Sequence, residues 1–176
     1  MLETERLILR PWRLSDADGF ARLAEDPAVM RMVGTGEPWP EERRLKWIQK
    51  QMDRFAELGY SFLAVIERAS EEVTGMCGVQ QLGDRDLKEI GWWVRRDRWG
   101  RGYGTEAARA VRDWAFGELD FERLDAIAVP GNGGSTNIMC KLGMSLIGEC
   151  AYTELGGDIP GIQIVHYMVL RSAVVS

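Results

Sequence analysis

The sequence has little of what several protein classes require. Its 176 residues include only three cysteines, Cys77, Cys140 and Cys150, without a CxxC pair, and one histidine, His166. We therefore expect neither a disulfide framework nor a metal site. No apolar run approaches the roughly 20 residues that cross a bilayer, and the opening MLETERLILR has charges where a signal peptide needs an apolar stretch. These absences predict a cytoplasmic protein without a membrane partner.

The chain also lacks an excess of basic residues, since 22 Lys and Arg stand against 27 Asp and Glu. The formal net charge is -5 and the pI is about 5.1, which argues against a nucleic-acid partner because such a protein needs basic surface for phosphates. An acidic field suits a cationic or amine-bearing substrate better. With 45% hydrophobic and 28% charged residues, and no repeat or Pro/Gly/Ser linker, the chain is typical of one globular domain over residues 1–176.

Short periodic segments separated by turn signals predict a mixed α/β (α+β) fold. A largely antiparallel central sheet of about six to seven strands is expected, flanked by helices. Ser15 is expected to start the first helix, and Gly59 to end the second. The strands are predicted near residues 5–10, in three hairpin-connected segments from 60 to 94, and at 123–129, 144–152 and 162–170, with two later helices at 102–117 and 134–142.

The most informative segment is the junction RRDRWGRGYGTEA. A strand ends there, Gly100, Gly102 and Gly104 follow at alternate positions, and a helix begins. The first turn of a helix has N–H groups without internal partners and a partial positive charge, and glycines let an anion approach them closely. The junction therefore predicts a diphosphate site, although it could also be a turn with a solvated basic rim. Four arginines are expected to add mobile positive charge: Arg95, Arg96, Arg98 and Arg101.

Two other phosphate motifs fit this junction less well. Gly102, Gly104 and Ala107 match the GxGxxA spacing of a dinucleotide-binding turn. That turn follows its strand directly, whereas here seven residues, six of them polar or bulky, separate Val94 from Gly102. A P-loop needs Lys-Ser or Lys-Thr after the glycines, and neither is present.

Four segments together resemble the GNAT acetyltransferases, and within them the group of ribosomal-protein alanine N-acetyltransferases. They are TERLILRPWRLSDA, EIGWWV, RWGRGYGTEA and NGGSTNIMCKLGM, in the family's order and approximate spacing. The general family has Gln or Arg where Trp99 stands, but this group often has tryptophan there. The group usually has Glu at the position of Cys140 and Phe at that of Met144, and both differences could be matters of packing.

The resemblance implies acetyl-CoA as cofactor, bound with its diphosphate on the glycine turn and its pantetheine arm along the preceding strand. It also implies direct acetyl transfer to a primary amine, either a protein N-terminus or a small molecule. Asn132 resembles a family asparagine that contacts the pantetheine amides, although PGNGG could equally be a turn. The full set of expected cofactor contacts is Trp92, Trp93, Val94, Arg96, Trp99, Gly100, Arg101, Gly102, Tyr103, Gly104, Thr105, Asn132, Ser135 and Lys141.

Acetyl transfer requires a base for the amine and a proton for the departing thiolate. Glu89 lies where several family members carry a carboxylate base, although it could equally be an exposed strand glutamate. Many relatives use a tyrosine as the acid at the position of Met139, so Ser135 is the replacement we expect, with N-capping of the following helix as the alternative. We expect His166, in an alternating strand, to be structural.

Two other function classes stay open at this point. The missing tyrosine leaves a non-catalytic acetyl-CoA-binding module as the main alternative. A nucleotide-dependent enzyme built on GxGxxA would be stabilised by NAD or ATP in preference to acetyl-CoA. Exposed strand edges and the apolar C-terminal strand make a homodimer a reasonable expectation.

Overall fold

The structure is a computed structural model. It describes residues 1–83 and 87–174. Part of the charged turn expected between two hairpin strands lies outside the described residues, at 84–86. The helices are α1 (Ala17–Ala24), α2 (Pro27–Met30), α3 (Glu41–Leu58), α4 (Tyr103–Gly117) and α5 (Gly133–Lys141). The strands are β1 (Leu2–Glu3), β2 (Leu7–Arg10), β3 (Phe62–Glu67), β4 (Val73–Gln81), β5 (Lys88–Val94), β6 (Arg123–Ala128), β7 (Ser145–Ala151) and β8 (Gln163–Leu170).

The strands form one sheet in the order β1-β2-β3-β4-β5-β6-β8-β7. Every neighbouring pair is antiparallel except β5 and β6, which are parallel. The predicted mixed fold with a largely antiparallel sheet is confirmed. The sheet has eight strands rather than six to seven, because Leu2–Glu3 adds a two-residue strand that is too short to show periodicity in the sequence.

The two faces of the sheet bury different cores because side chains alternate along each strand. One face packs Leu63, Val79, Ile90 and Leu124 against α4. The opposite face packs against α1 and α3, and its core is rich in aromatic residues: Trp12, Phe20, Trp39, Trp47, Phe62 and Trp93. Within the described residues, no helix is long and apolar enough to cross a membrane.

The helix ends follow the predicted signals in part. Gly59 ends α3 in the left-handed conformation, with φ 78°, as expected. Ser15 does not cap α1, so that prediction was wrong. A single 3-10 turn precedes α1 instead, and the Asp16 carboxylate there accepts from the Arg13 backbone N–H at 2.8 Å and from Arg10. This turn runs from Leu14 to Asp16 with Arg13 as its N-cap, so Ser15 lies inside the turn and not at its start.

The parallel pair β5 and β6 separates soon after it forms. Its register consists, among the described residues, of one pair, Glu89 opposite Asp125. Beyond that pair, β5 continues to Val94 and leads into the glycine turn and α4, whereas β6 leads to Asn132 and α5. The edge of β5 that faces β6 is therefore left without a strand partner near the start of both helices.

Candidate active site

The glycine turn has the geometry of an anion cradle. Gly100 and Gly102 have φ values of 73° and 83°, in the left-handed region that other residues adopt at a cost. No side chain caps α4 at Gly102, so the N–H groups of its first turn are left for another acceptor. A Cβ built on Gly100 would meet no atom within 4 Å, so the approach to the backbone there is open. These features fit a diphosphate.

Gly104 has a different role from the other two glycines. A Cβ at Gly104 would lie 2.8 Å from the Ile138 Cδ1 and 3.3 Å from the Val94 Cγ2. The missing side chain lets the start of α4 pack closely on both β5 and α5. The same contact brings α5 to the glycine turn, so the residues predicted at the two helices lie at one end of the sheet.

A buried carboxylate, that of Glu67, binds side chains of the glycine turn. Glu67, at the end of β3, accepts hydrogen bonds from the Tyr103 hydroxyl, the Ser70 hydroxyl and the Arg98 guanidinium. These three donors hold the pKa of Glu67 at about 2. On the other side, the Arg6 guanidinium lies 4.5 Å from the Tyr103 ring centroid and donates to the Arg101 carbonyl oxygen. The Tyr103 side chain therefore holds the turn in place.

The expected cluster of mobile arginines is only partly present. Arg95 is 8% exposed and pairs with Glu72 and Asp97, and Arg98 pairs with Glu67, so neither is free to follow a phosphate. Two of the partners, Glu67 and Glu72, are distant in the sequence, and the neighbouring Asp97 pairs with both arginines, so the local arginine count does not show how much charge is free. Arg96 is exposed and pairs with Asp26 at 3.0 Å, whereas the Arg101 guanidinium is exposed and has no ion pair within the described residues.

Replacing Glu67 by glutamine is expected to destabilise the fold in a pH-dependent way. Because the folded-state pKa lies below the ordinary 4.5, the stabilisation is fully present above about pH 4.5 and is lost as pH falls toward about 2. Up to about 3 kcal/mol of the free energy of unfolding depends on this carboxylate. Urea unfolding at pH 7 and pH 3 should show a smaller pH difference for Glu67→Gln than for the parent, and an unchanged difference would contradict the anchoring role.

The end of β5 presents backbone groups to the gap beside β6. The Arg95 N–H donates to the Thr74 carbonyl oxygen at 2.8 Å, so the backbone N–H and C=O of Arg95 point toward β4. Because backbone groups alternate in direction along a strand, Trp93 also faces β4, whereas Trp92 and Val94 face the gap. The Val94 carbonyl oxygen already accepts from the Trp99 indole at 2.7 Å. The backbone N–H and C=O of Trp92 and the N–H of Val94 are therefore available to an extended ligand in the gap. The backbone groups of Trp93 point away from that gap.

At α5 the N-cap is Asn132 and not Ser135. Asn132 is the N-cap, and its Oδ1 accepts from the Ser135 backbone N–H at 3.1 Å. Ser135 is therefore not the cap, and among the described residues its hydroxyl makes no hydrogen bond. Because Ser135 lies three residues before Ile138, it shares the helix face that meets Gly104. Met139 is fully buried and packs in the core, whereas Lys141 is exposed in the last turn of the helix.

Glu89 is a buried carboxyl group and not an exposed strand residue. It is 9% exposed, and its Oε2 accepts from the Gln80 side-chain amide at 2.8 Å. Burial and, to a smaller extent, the nearby Asp125 carboxylate raise the pKa of Glu89 to about 7, although the hydrogen bond from Gln80 acts in the opposite direction. A carboxyl group with this pKa can accept a proton near neutral pH.

Comparison with known proteins identifies the family. The model of the acetyltransferase (GNAT) domain matches residues 6–145, most of the chain. The chain belongs to the GNAT acetyltransferases. It is 33% identical over 147 residues to "Uncharacterized protein YkkB" of Bacillus subtilis, covering 81% of this chain and 84% of that one. It is 30% identical to "Uncharacterized N-acetyltransferase p20" of Bacillus licheniformis, with 80% of each chain covered.

Solved structures share the fold of this GNAT acetyltransferase. A GNAT-family acetyltransferase from Bacillus anthracis superposes with a TM-score of 0.81 at 24% identity, covering 97% of this chain and 98% of that one. The ribosomal-protein-S5-alanine acetyltransferase of Vibrio fischeri gives 0.77 at 16% identity, covering 96% and 95%. Spermidine N-acetyltransferase of Vibrio cholerae, solved with CoA and spermine, gives 0.78 at 14% identity, covering 98% and 100%. The protein is thus an N-acetyltransferase by family, and family members use acetyl-CoA.

Proposed function

We propose that this GNAT enzyme transfers an acetyl group directly from acetyl-CoA to a primary amine, with Glu89 as the base. One observation carries the proposal: a buried carboxyl group with a pKa of about 7 lies at the head of the β5–β6 gap, on the strand that leads into the uncapped glycine turn. The family membership supplies the reaction class, and the buried Glu89 supplies its proton acceptor.

The residues present fit acetyl-CoA. The N–H groups at the start of α4 and the Arg101 guanidinium would hold the diphosphate. The Trp92 and Val94 backbone would pair with the pantetheine arm, and the Val94 N–H is the donor placed to polarise a carbonyl beside the gap. When bound, acetyl-CoA supplies the activated acetyl thioester. Asn132, which caps α5, orders the segment that carries Ser135.

The pKa of Glu89 favours amines of moderate basicity. Moving a proton to a carboxylate of pKa about 7 costs about 1.4 kcal/mol from an α-ammonium of pKa about 8, and about 4.6 kcal/mol from a lysine of pKa about 10.4. An α-amino group, as at a protein N-terminus, or a small amine of lowered pKa is therefore the acceptor class that this base suits best. One structural neighbour, the ribosomal-protein-S5-alanine acetyltransferase of Vibrio fischeri, is named for an alanine of a ribosomal protein.

An acceptor panel tests this proposal. Release of the coenzyme A thiol should be measured with an alanine- or serine-initiated peptide, the same peptide with a blocked N-terminus and an internal lysine, and a polyamine. The proposal predicts faster release with the free N-terminus than with the lysine peptide or the polyamine. Release no faster than without any amine, across the panel, would contradict it.

Replacing Ser135 by alanine is expected to lower kcat by about tenfold or more, because its hydroxyl is the proposed proton donor to the departing thiolate. The KM for acetyl-CoA should change little. Thr136→Ala is the matched control, since among the described residues the Thr136 hydroxyl donates only to the Asn132 and Gly133 carbonyl oxygens of the helix start. Equal rates for the two variants would remove Ser135 from the mechanism.

A further inference from the structure

A row of polar side chains crosses the sheet at Glu89, buried except for the half-buried Gln80. Gln80 on β4 is the register partner of Glu89, which is in turn the register partner of Asp125 on β6. Asp125 then meets His166 on β8, where the imidazole Nε2 lies 2.7 Å from the Asp125 Oδ1. Asp125 is 0% exposed and His166 is 6% exposed. Because register partners point to the same face, these groups lie side by side.

The Asp125 carboxylate is held by nitrogen donors on both of its oxygens. The Arg123 Nε and Nη2 donate to its two oxygens at 2.9 and 2.6 Å, a bidentate pair. A carboxylate in that pair can only accept, so His166 donates its Nε2 proton to Asp125. A buried charge of this kind contributes little net stability compared with packed apolar residues. Its position next to Glu89 suggests a role in the chemistry of that residue.

Glu89 is oriented from the other side by a second chain of hydrogen bonds. Gln80 accepts from the Arg54 guanidinium through Oε1 at 3.0 Å and donates to Glu89 through Nε2 at 2.8 Å. Because arginine can only donate, Arg54 fixes which end of the amide faces Glu89. The carboxyl group is thus held between Gln80 and Asp125.

Among the described residues other than Arg123, which pairs with Asp125, the ionisable groups near Glu89 place no positive charge against it. Tyr152, in the turn after β7, is close enough for Glu89 and Asp158 to contribute to raising its pKa to about 12, although burial is the main cause. Lys88 points to the opposite face of the sheet, with its ammonium group 5.8 Å from the Phe121 ring centroid. Arg54 from α3 reaches Glu89 only through Gln80. The described charge closest in register to Glu89 is therefore that of Asp125.

We propose that Asp125, clamped by Arg123 and His166, is a positioning residue whose fixed negative charge makes Glu89 a stronger proton acceptor for the amine. The proposal deepens the proposed function, because it rests on Glu89 being the base. His166, in this account, acts through Asp125 and does not touch the substrate.

The test is the titration of Glu89 itself, followed through the side-chain carboxyl carbon of 13C-labelled glutamate by NMR, with Glu89→Gln used to assign the signal. In Asp125→Asn the midpoint should fall by about one pH unit, a tenfold loss of proton affinity. Asp120→Asn is the matched control, since it removes the same charge at an exposed site, and it should leave the midpoint unchanged. A folded Asp125→Asn protein with the parent midpoint would overturn the proposal.

A second pair of variants keeps the test open if Asp125→Asn fails to fold. His166→Ala removes one donor from Asp125, and His166→Gln replaces it with an amide N–H. We expect His166→Ala to shift the Glu89 midpoint and His166→Gln to restore it, whereas equal midpoints in both would overturn the clamp. The NMR midpoint needs no turnover. An Asp125-dependent midpoint without a matching shift in the acid limb of kcat/KM would therefore count against Glu89 as the base, and not against the effect of Asp125.

Discussion

Glu89→Gln is expected to lower kcat/KM for amine acetylation by about 10²–10⁴-fold, because glutamine cannot accept the proton of the amine. In the parent enzyme, kcat/KM should rise with pH to a midpoint near the Glu89 pKa of about 7, and this acid limb should be absent in the variant. Initial rates measured across about pH 5.5–9 report both effects. Glu149→Gln, at an exposed position on β7, is the matched control.

The same substitution should raise stability at alkaline pH. The pKa of Glu89 lies above the ordinary 4.5, so the contribution of this group to stability is most favourable below about pH 4.5 and is lost as pH rises through about 7. Ionising this buried group costs up to about 3 kcal/mol, and glutamine avoids that cost. Urea unfolding at pH 8 should therefore show Glu89→Gln to be more stable than the parent. A variant that is less stable than the parent at pH 8 and fully active would contradict both the cost of ionising Glu89 and its role as the base.

Gly102→Val is expected to weaken acetyl-CoA binding by about thirtyfold or more, equivalent to about 2 kcal/mol. A β-branched side chain at φ 83° is strained, and its bulk would stand at the start of α4, where the diphosphate is proposed to bind. Isothermal titration calorimetry with acetyl-CoA measures the change in Kd directly.

Gly117→Ala, at the other end of the same helix, is the control for this experiment. A Cβ there meets no atom within 4 Å, and its φ is not positive, so alanine should leave binding unchanged. Similar Kd values for the parent, Gly102→Val and Gly117→Ala would mean that acetyl-CoA does not bind on this turn.

The sequence predicts those parts of the site that depend on local physics. Alternate glycines before a helix predict a helix start whose backbone an anion can approach closely, and the structure has such a start, with Gly100 and Gly102 in the left-handed region and no side-chain cap on α4. The hairpin order of β3, β4 and β5 follows from alternation and short turns, and it is confirmed. The acetyl-CoA contacts and the catalytic roles of Glu89 and Ser135 stay predictions.

What the sequence could not show depends on residues that are distant along the chain. Asp125 and His166 are 41 residues apart and meet only because β6 pairs with β8. The ion pair between Arg98 and Glu67, which are 31 residues apart, likewise depends on the tertiary fold. The choice of Asn132 over Ser135 as helix cap is local, but both residues are good caps, so their side-chain chemistry does not decide between them.

The most direct test of the account follows the acetyl group itself. The enzyme should be incubated with isotope-labelled acetyl-CoA and the best amine of the acceptor panel, and both the amine and the intact enzyme should be weighed by mass spectrometry. Direct transfer predicts label on the amine in one-to-one proportion with released coenzyme A, and none on the enzyme. Coenzyme A released without labelled amine, or label held covalently on the enzyme, would contradict the account.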